Sequence, residues 1–515
     1  MAVNEHCEQP GTTARPDSVQ VYARSCLSEV DVPIIGEVTR AFPSWLRGRL
    51  LRNGPGLNAI GPDRYEHAFD GLALLREFSV EDNHVSFRNR FLRSQTYVRN
   101  KKANRIVVSE FGTAAYRDPC AGVFEKLAAT FTTEFTDNAL VNVTPIGDEF
   151  YAITESPFVH RVDPSTLETL SRHDLSRVIA VHTITAHPHV DPDDGSTYLV
   201  GSQMGVRPLY VVVRFPPAAE VPPESKALYE AQIVATIPMQ SRLYPSYIHS
   251  FGLTERWIVV VEQSLVFSVT NAFLRRALGQ DFAGGLQFDA GKKARFHVVD
   301  KKTGKTHPGV WEADAFFSFH HINTYERDGD LVVDMCVYED ASLIASMSLA
   351  DARTDSVAYK SGAARRFVLD LNVKHPVVIR PQSLSGAELR ADMPRINYGR
   401  FNGKRYRFVY LVGHLDGKPN ETFLSKLDVE SGHWVRWERP GWVPSEPVFV
   451  PRPGATDEDD EDDGVVLTSI LDSADEKKVS LVALDARSFE EIASAVFETP
   501  SANPGDFHGW FASEG

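Results

Sequence analysis

From about residue 50 onward the chain is a succession of short apolar segments rich in Val, Ile, Phe and Tyr, each cut off by Gly, Pro, Asn or Asp. Examples are "HVSFRNRFL", "RIVVSEF", "EFYAIT", "LYVVVRF", "WIVVVEQ", "DLVVDMCVY", "RRFVLDL", "RFVYLVG" and "GVVLTSIL". Segments of this length and residue type read as strands, and the clusters between them as turns. Helical periodicity is scarce, with "VFEKLAATF" (123–131) and "VTNAFLRRAL" (269–278) its best instances. Many strands and little helix predict an all-β fold.

A repeat narrows the choice. "RVDPSTLETL" (161–170), "VVDKKTGKTH" (298–307), "KLDVESGHWV" (426–435) and "ALDARSFEEI" (483–492) each join an apolar residue to an Asp, two spacers and a Ser or Thr. Each reads as strand, tight turn, strand, with the Asp or hydroxyl accepting a backbone N–H. Recurring units of this kind in an all-β chain point to the blades of a propeller, and about seven blades with long loops would use up this length. Residues 1–30 read as a flexible N-terminal arm and 31–515 as one propeller domain with inserted loops and helices. "PPAAEVPPES" (216–225) reads as a surface loop, and the acidic run "DEDDEDD" (457–463) as a solvated one.

A formal charge of −15 argues against nucleic acid as a partner, since phosphates call for a basic surface. The N-terminus lacks the basic start and apolar core of a signal peptide. No apolar run approaches the roughly 20 residues of a membrane span. Cys7, Cys26, Cys120 and Cys336 lie far apart, as expected of reduced cytosolic thiols. HExxH, zinc-type Cys/His spacing, a phosphate loop and a GxSxG elbow are all missing, so nucleophilic hydrolysis has no support.

The chemistry falls to histidine. Of 17 histidines, four stand among small or apolar residues at a strand edge, in "ITAHPHV", "YIHSFGL", "FSFHHIN" and "GDFHGWF". His187, His249 and His320 are 62 and 71 residues apart, about a blade each, and His508 follows 188 residues later, close to three more such steps. One imidazole per blade at the axis would ring a metal; scattered core histidines are the competing reading. Imidazole suits Fe, Cu, Zn and Ni, so donor chemistry alone does not choose the ion. A ligating His usually donates its other N–H to a carboxylate or carbonyl. Glu155 in "AITESPF" and Glu446 in "WVPSEPVFV" are placed for that, or are exposed glutamates at strand ends.

Together these motifs resemble the carotenoid cleavage oxygenase family, in its animal branch. The likeness runs through "LLRNGPG", "YEHAFDGLALL", "RIVVSEFGTAAYRDPC", "TAHPHVD", "YPSYIHSFGLT", "FHHINTYERDG", "PSEPVFVPRPG" and "FHGWF". The resemblance implies a seven-bladed β-propeller with a helical and loop cap over the face holding the substrate tunnel. It implies Fe(II) on His187, His249, His320 and His508, with O2 as co-substrate, and leaves His189 and His321 as neighbours. Glu155 is expected behind His249 and Glu446 behind His508. Behind His320 stands Asp392, where the family usually has Glu. One methylene shorter, its contact is expected to lengthen, to take a bridging water or to be restored by a backbone shift.

"FGTAAYRDPC", "TESPFVHRVDP" and "HGWFA" favour the isomerising oxygenases of insects. That branch implies cleavage of a C40 carotenoid (zeaxanthin, lutein or β-carotene class) at its central 15,15′ double bond, with one half released as 11-cis and the other as all-trans retinoid. Thr154 is expected beside an open coordination position. Tyr338 is expected in the cleft wall, where its ring face could stabilise positive charge. Alternatives are a non-isomerising 15,15′ or eccentric dioxygenase, a retinyl ester isomerohydrolase, and a non-catalytic carotenoid-binding propeller. A membrane-soluble substrate predicts a cytoplasmic protein touching a membrane peripherally, through Leu265, Val266, Phe267, Phe273 and Leu274, with Arg275 and Arg276 behind them. "VFEKLAATF" is a second membrane candidate.

Overall fold

The computed structural model describes residues 20–82, 84–116, 136–278, 280–349, 362–418, 421–455 and 460–513. Strands dominate, arranged as seven blades, antiparallel but for the parallel pair of Trp311–Ala313 with Val377–Val378 in the fourth. Blade 1 runs from the axis outward through Gly509–Ser513, Gly48–Leu57, Leu72–Glu81, His84–Phe91 and Val30–Ile35. Blades 2 to 6 follow in chain order, their inner strands being Asn142–Ile146, the pair Thr183–Ile184 and His189–Val190, Gly252–Leu253, His321–Arg327 and Leu389–Arg395. Blade 7 has Trp442–Pro444 and Val448–Pro451 innermost and Glu37–Arg40 outermost.

The ring closes twice. An N-terminal strand completes blade 7 on Glu491–Glu498, and the C-terminal strand completes blade 1 on Gly48–Leu57. Strands in the middle of each blade are covered on both faces by neighbouring blades. They read as unbroken apolar runs for that reason, as in Trp257–Glu262, buried at every position. Val259, Val298 and Trp311 of blade 4, for example, pack on Val333, Phe367 and Leu369 of blade 5.

The repeated Asp turn is as expected. Asp163, Asp300, Asp428 and Asp485 each accept backbone N–H groups two and three residues on. The fourth residue after each Asp, Leu167, Gly304, Gly432 and Phe489, has positive φ and returns its N–H to the Asp carbonyl. Leucine and phenylalanine disfavour that conformation; here the burial of both side chains holds them in it. A further copy spans Asp191 to Gly195 in blade 3.

Three expectations are corrected. Residues 20–30 belong to the packed structure: Val21 and Cys26 are buried, and Tyr22 stacks on Phe507. The acidic run is solvated only in part. Glu461 is buried and accepts the N–H groups of Arg407 and Phe408, and Asp462 is buried on Lys426, because this segment closes the end of blade 6. Leu265 and Val266 are buried as well. The strand Leu265–Phe267 pairs with Leu286–Phe288 as a hairpin of the cap, and this turns Leu265 inward onto Phe317, Phe319 and Tyr338. Leu274 is 56% exposed on the helix Val269–Leu278; the side chain of Phe273 and the segment 123–131 lie outside the described residues.

Candidate metal centre

His187, His249, His320 and His508 meet at the axis. One ring nitrogen from each lies within 4.8 Å of all the others. Ring centroids are 4.4 Å apart for His187 and His508, 4.5 Å for His187 and His249, and 5.0 Å for His249 and His320. Each sits where an inner strand begins or breaks. His187 occupies the gap between the two short strands of blade 3, and His249 precedes Gly252–Leu253. His320 and His508 immediately precede His321–Arg327 and Gly509–Ser513. The local backbone is pinned: Cys336 N–H donates to the His320 carbonyl, and Asn53 N–H to that of His508.

Three carboxylates stand behind three of the rings. His249 Nδ1 is 2.7 Å from Glu155 Oε1, His320 Nδ1 2.7 Å from Asp392 Oδ1, and His508 Nδ1 2.8 Å from Glu446 Oε1. A carboxylate accepts, so each Nδ1 carries the proton and each Nε2 presents a lone pair to the axis. Nε2 of His320 is buried with no partner among the described residues. An inward, unpaired lone pair is what a cation would satisfy, so the donor set fits a single metal ion. Burial lowers the pKa of His187 well below the ordinary imidazole value and that of His508 to about 4, which keeps both rings neutral at physiological pH. His187 has no carboxylate behind it among the described residues.

The three supports are built differently. Burial pushes the Glu446 carboxyl up, but Arg395, His508 and Arg52 outweigh it and hold the group well below the usual range. Arg52, fully buried, donates to Glu446 at 2.8 Å, and Arg395, partly buried, at 2.9 Å. Glu155 has no Lys or Arg partner among the described residues; the Tyr247 hydroxyl donates to the same oxygen that takes His249. Asp392 reaches His320 directly, from a strand with an irregularity beside it. The register of Leu389–Arg395 slips between Asp392 and Arg395, Met393 takes φ 57°, and its N–H returns to Asp392 Oδ1 at 2.8 Å. The other oxygen accepts the Tyr338 hydroxyl. The contact is direct and of ordinary length, neither lengthened nor bridged by water.

Both neighbouring histidines point elsewhere. His189 bonds Tyr398 Oη at 2.9 Å and the Phe251 carbonyl at 3.0 Å, and His321 Nδ1 lies 2.8 Å from Ser250 Oγ. Tyr247, Arg52 and Arg395 escaped the sequence reading. Arginine in the apolar run "LLRNGPG" was the one available sign of Arg52, because a buried guanidinium demands a buried acid.

A cavity of about 930 Å³ opens on the centre. Its walls include His249, His320, His508, Thr154 and Tyr338, with Phe69, Phe319 and Phe507 among the apolar residues. Tyr338 is stacked on Phe317 at 4.7 Å, so its ring is rigidly presented. Volume and lining suit a long apolar ligand.

Fold and site define a class: propellers whose axis carries four nitrogen donors for one metal ion beneath an apolar chamber. The family described as retinal pigment epithelial membrane protein matches residues 23–513, and the chain belongs to this carotenoid oxygenase family. It is 38% identical to the carotenoid isomerooxygenase of Galleria mellonella over 502 residues, covering 95% of this chain and 96% of that protein. It is 37% identical to the β,β-carotene 15,15′-dioxygenase of Mus musculus, covering 93% and 89%. Among solved structures, a glutamate-to-glutamine variant of Synechocystis apocarotenoid oxygenase superposes with a TM-score of 0.78 at 25% identity, covering 96% and 98%.

Proposed function

We propose that this chain is an Fe(II)-dependent dioxygenase that splits a C40 carotenoid at its central 15,15′ double bond with O2 and isomerises one half, releasing 11-cis and all-trans retinal-type aldehydes. The observation that carries the reading is the four-imidazole centre facing an apolar cavity, in a chain 38% identical to a carotenoid isomerooxygenase along nearly its whole length. His187, His249, His320 and His508 hold the iron, with Glu155, Asp392 and Glu446 setting three of the rings. Iron supplies the redox chemistry with O2 that zinc lacks. The chain's own part is placement. A substrate with almost no hydrogen-bonding groups is positioned by the shape of the cavity, and Phe319, Thr154 and the Tyr338 face crowd the bond to be cut. The Tyr338 ring is turned to stabilise positive charge on a polyene whose double-bond order is transiently lost, worth about 0.5–2 kcal/mol.

The similar likeness to a 15,15′-dioxygenase favours, as a second reading, cleavage without isomerisation. One assay separates them: iron-loaded protein is given β-carotene or zeaxanthin in detergent under air, and products are resolved by chain length and by isomer. Equal 11-cis and all-trans C20 aldehydes are expected. All-trans C20 aldehydes alone establish the second reading, and no cleavage with iron bound sinks both.

Delivery from a membrane is part of the proposal, with its surface reassigned. Met204 and Val269 line the cavity and are exposed; Val206, two residues after Met204, is exposed too, as are Leu243, whose carbonyl accepts the Val269 N–H, and Tyr244. Among the described residues no helix is long and apolar enough to cross a membrane. Flotation with anionic vesicles, abolished by Leu243→Asp with Leu274→Asp, tests peripheral contact at this rim.

A further inference from the structure

One acid in the cavity wall has no part in the metal centre. Glu110 lines the chamber with Phe69, Phe111 and Thr136, and its side chain is almost completely enclosed, with the residue 2% exposed. Its backbone N–H is used on the Thr113 carbonyl at 2.9 Å. Oε1 accepts the Thr136 hydroxyl at 2.7 Å. That hydroxyl accepts from Asn138 N–H at 3.0 Å, so its own proton goes to Glu110. Oε2 has no hydrogen-bond partner among the described residues, and Glu110 has no ion-pair partner among them. Burial, with Asp70 and Asp137 nearby, holds the carboxyl protonated far above the usual range.

With Oε1 occupied by the threonine proton, the acid proton sits on Oε2. A neutral carboxyl group then both donates and accepts at one point of the wall, beside the rings of Phe69 and Phe111. An alcohol has the matching pair of functions. A hydrocarbon satisfies neither, and a carboxylate ligand would bring a charge to an acid that has no ion-pair partner among the described residues. We infer that Glu110 and Thr136 form a polar subsite for the hydroxyl group on the end ring of an oxygenated carotenoid, so that the cavity favours hydroxylated polyenes over hydrocarbon ones. The inference rests on the carotenoid reading above and names the substrate class within it.

Binding is measured without turnover, by quenching of tryptophan fluorescence in iron-loaded protein under nitrogen, with zeaxanthin and with β-carotene. The wild type is expected to bind the diol about tenfold tighter, the margin of one hydrogen-bonded pair in a dry site. Glu110→Leu brings the ratio to about one, Thr136→Val lowers it by disordering the acid, and Glu110→Gln keeps most of it. Iron content and melting temperature, read on the same samples, identify any variant that has not folded. Equal binding of the two polyenes by the wild type, or an unchanged ratio in folded Glu110→Leu, overturns the subsite. Binding of neither polyene overturns the carotenoid reading itself.

Discussion

Glu155 and Glu446 do the same thing to a histidine, yet their loss is expected to be felt in different places. The Glu155 side chain is 33% exposed and its partners are His249 and Tyr247, with no cation among them. Glu155→Gln keeps the shape and removes the charge. Apoprotein stability hardly changes, while the His249 ring is left with a neutral amide acceptor in place of the carboxylate and metal affinity falls by about 10–100-fold. Glu446 is buried against two guanidiniums, Arg52 and Arg395, besides His508 and the Gly509 N–H. Arg52 keeps Asp506 as a second anion, and Arg395 keeps the Gly509 carbonyl. Glu446→Gln leaves the partly buried Arg395 without its charge partner and takes one of two anions from the fully buried Arg52, a defect that costs about 3–5 kcal/mol. With an unfolding entropy of about 2.1 cal/mol/K per residue, this chain loses about 3–5 °C in melting temperature. Calorimetry of the chelated apoproteins reads the stability, and competition with a chromophoric chelator reads the affinity. Equal apoprotein melting temperatures for the two variants would refute the assignment of Glu446 to both the metal centre and the fold.

Alanine at His187, His249, His320 or His508 is expected to abolish metal uptake, whereas His189→Gln and His321→Gln retain it, as elemental analysis of purified protein will read. Asp392→Glu restores the residue usual in relatives but not its setting. Tyr338 and the Met393 N–H already occupy the shorter acid, so metal affinity should fall by about tenfold rather than rise. His67, His189 and His508 titrate in the folded protein at about 4 and His321 at about 3, each lowered first by burial. Their depressed values mean the unfolded chain takes up protons first as pH falls below the ordinary 6.5. The share of apoprotein stability set by these four rings should be steady above that pH and drop toward 4, by up to about 1.4 kcal/mol per pH unit for each ring. Urea titrations of the wild type and of His321→Gln across pH 4–7 check this by difference, the variant losing that ring's share of the drop.

What the sequence made legible is what short range controls. The Asp turns are set by four or five consecutive residues, and they indicate the blades. Each of the four histidines carries its context with it, a strand edge among small or apolar residues. Glu155 and Glu446 stand out for the same reason, while Asp392 was found through family likeness alone. Long-range partners left little trace. Arg52 meets Glu446 from 394 residues away, and nothing local to either says so. Leu265–Phe267 beside Arg275 and Arg276 reads the same whether it faces lipid or a cavity wall. Its pairing with Leu286–Phe288 decides, and pairing is a tertiary fact. The acidic run misled for the complementary reason: charge density predicts solvent, but two unpaired backbone N–H groups at the end of blade 6 needed an acceptor, and Glu461 was near enough to be drawn in.

The distribution of groups around the axis links the site to the ring's closure. Blades 1, 3, 4 and 5 each bring one histidine, and blades 2, 6 and 7 each bring one carboxylate, Glu155 arriving from the loop after the second strand of its blade. Every blade is thus represented once. His508 stands immediately before the C-terminal strand, whose pairing with Gly48–Leu57 completes blade 1. The same pairing sets Arg52 beside Glu446, which belongs to blade 7 and holds the His508 ring. Joining the first blade to the last and finishing the metal centre are one packing event. An ion bound by all four imidazoles acts as a rivet across that seam, stabilising the closed ring over any open one by the free energy of its binding.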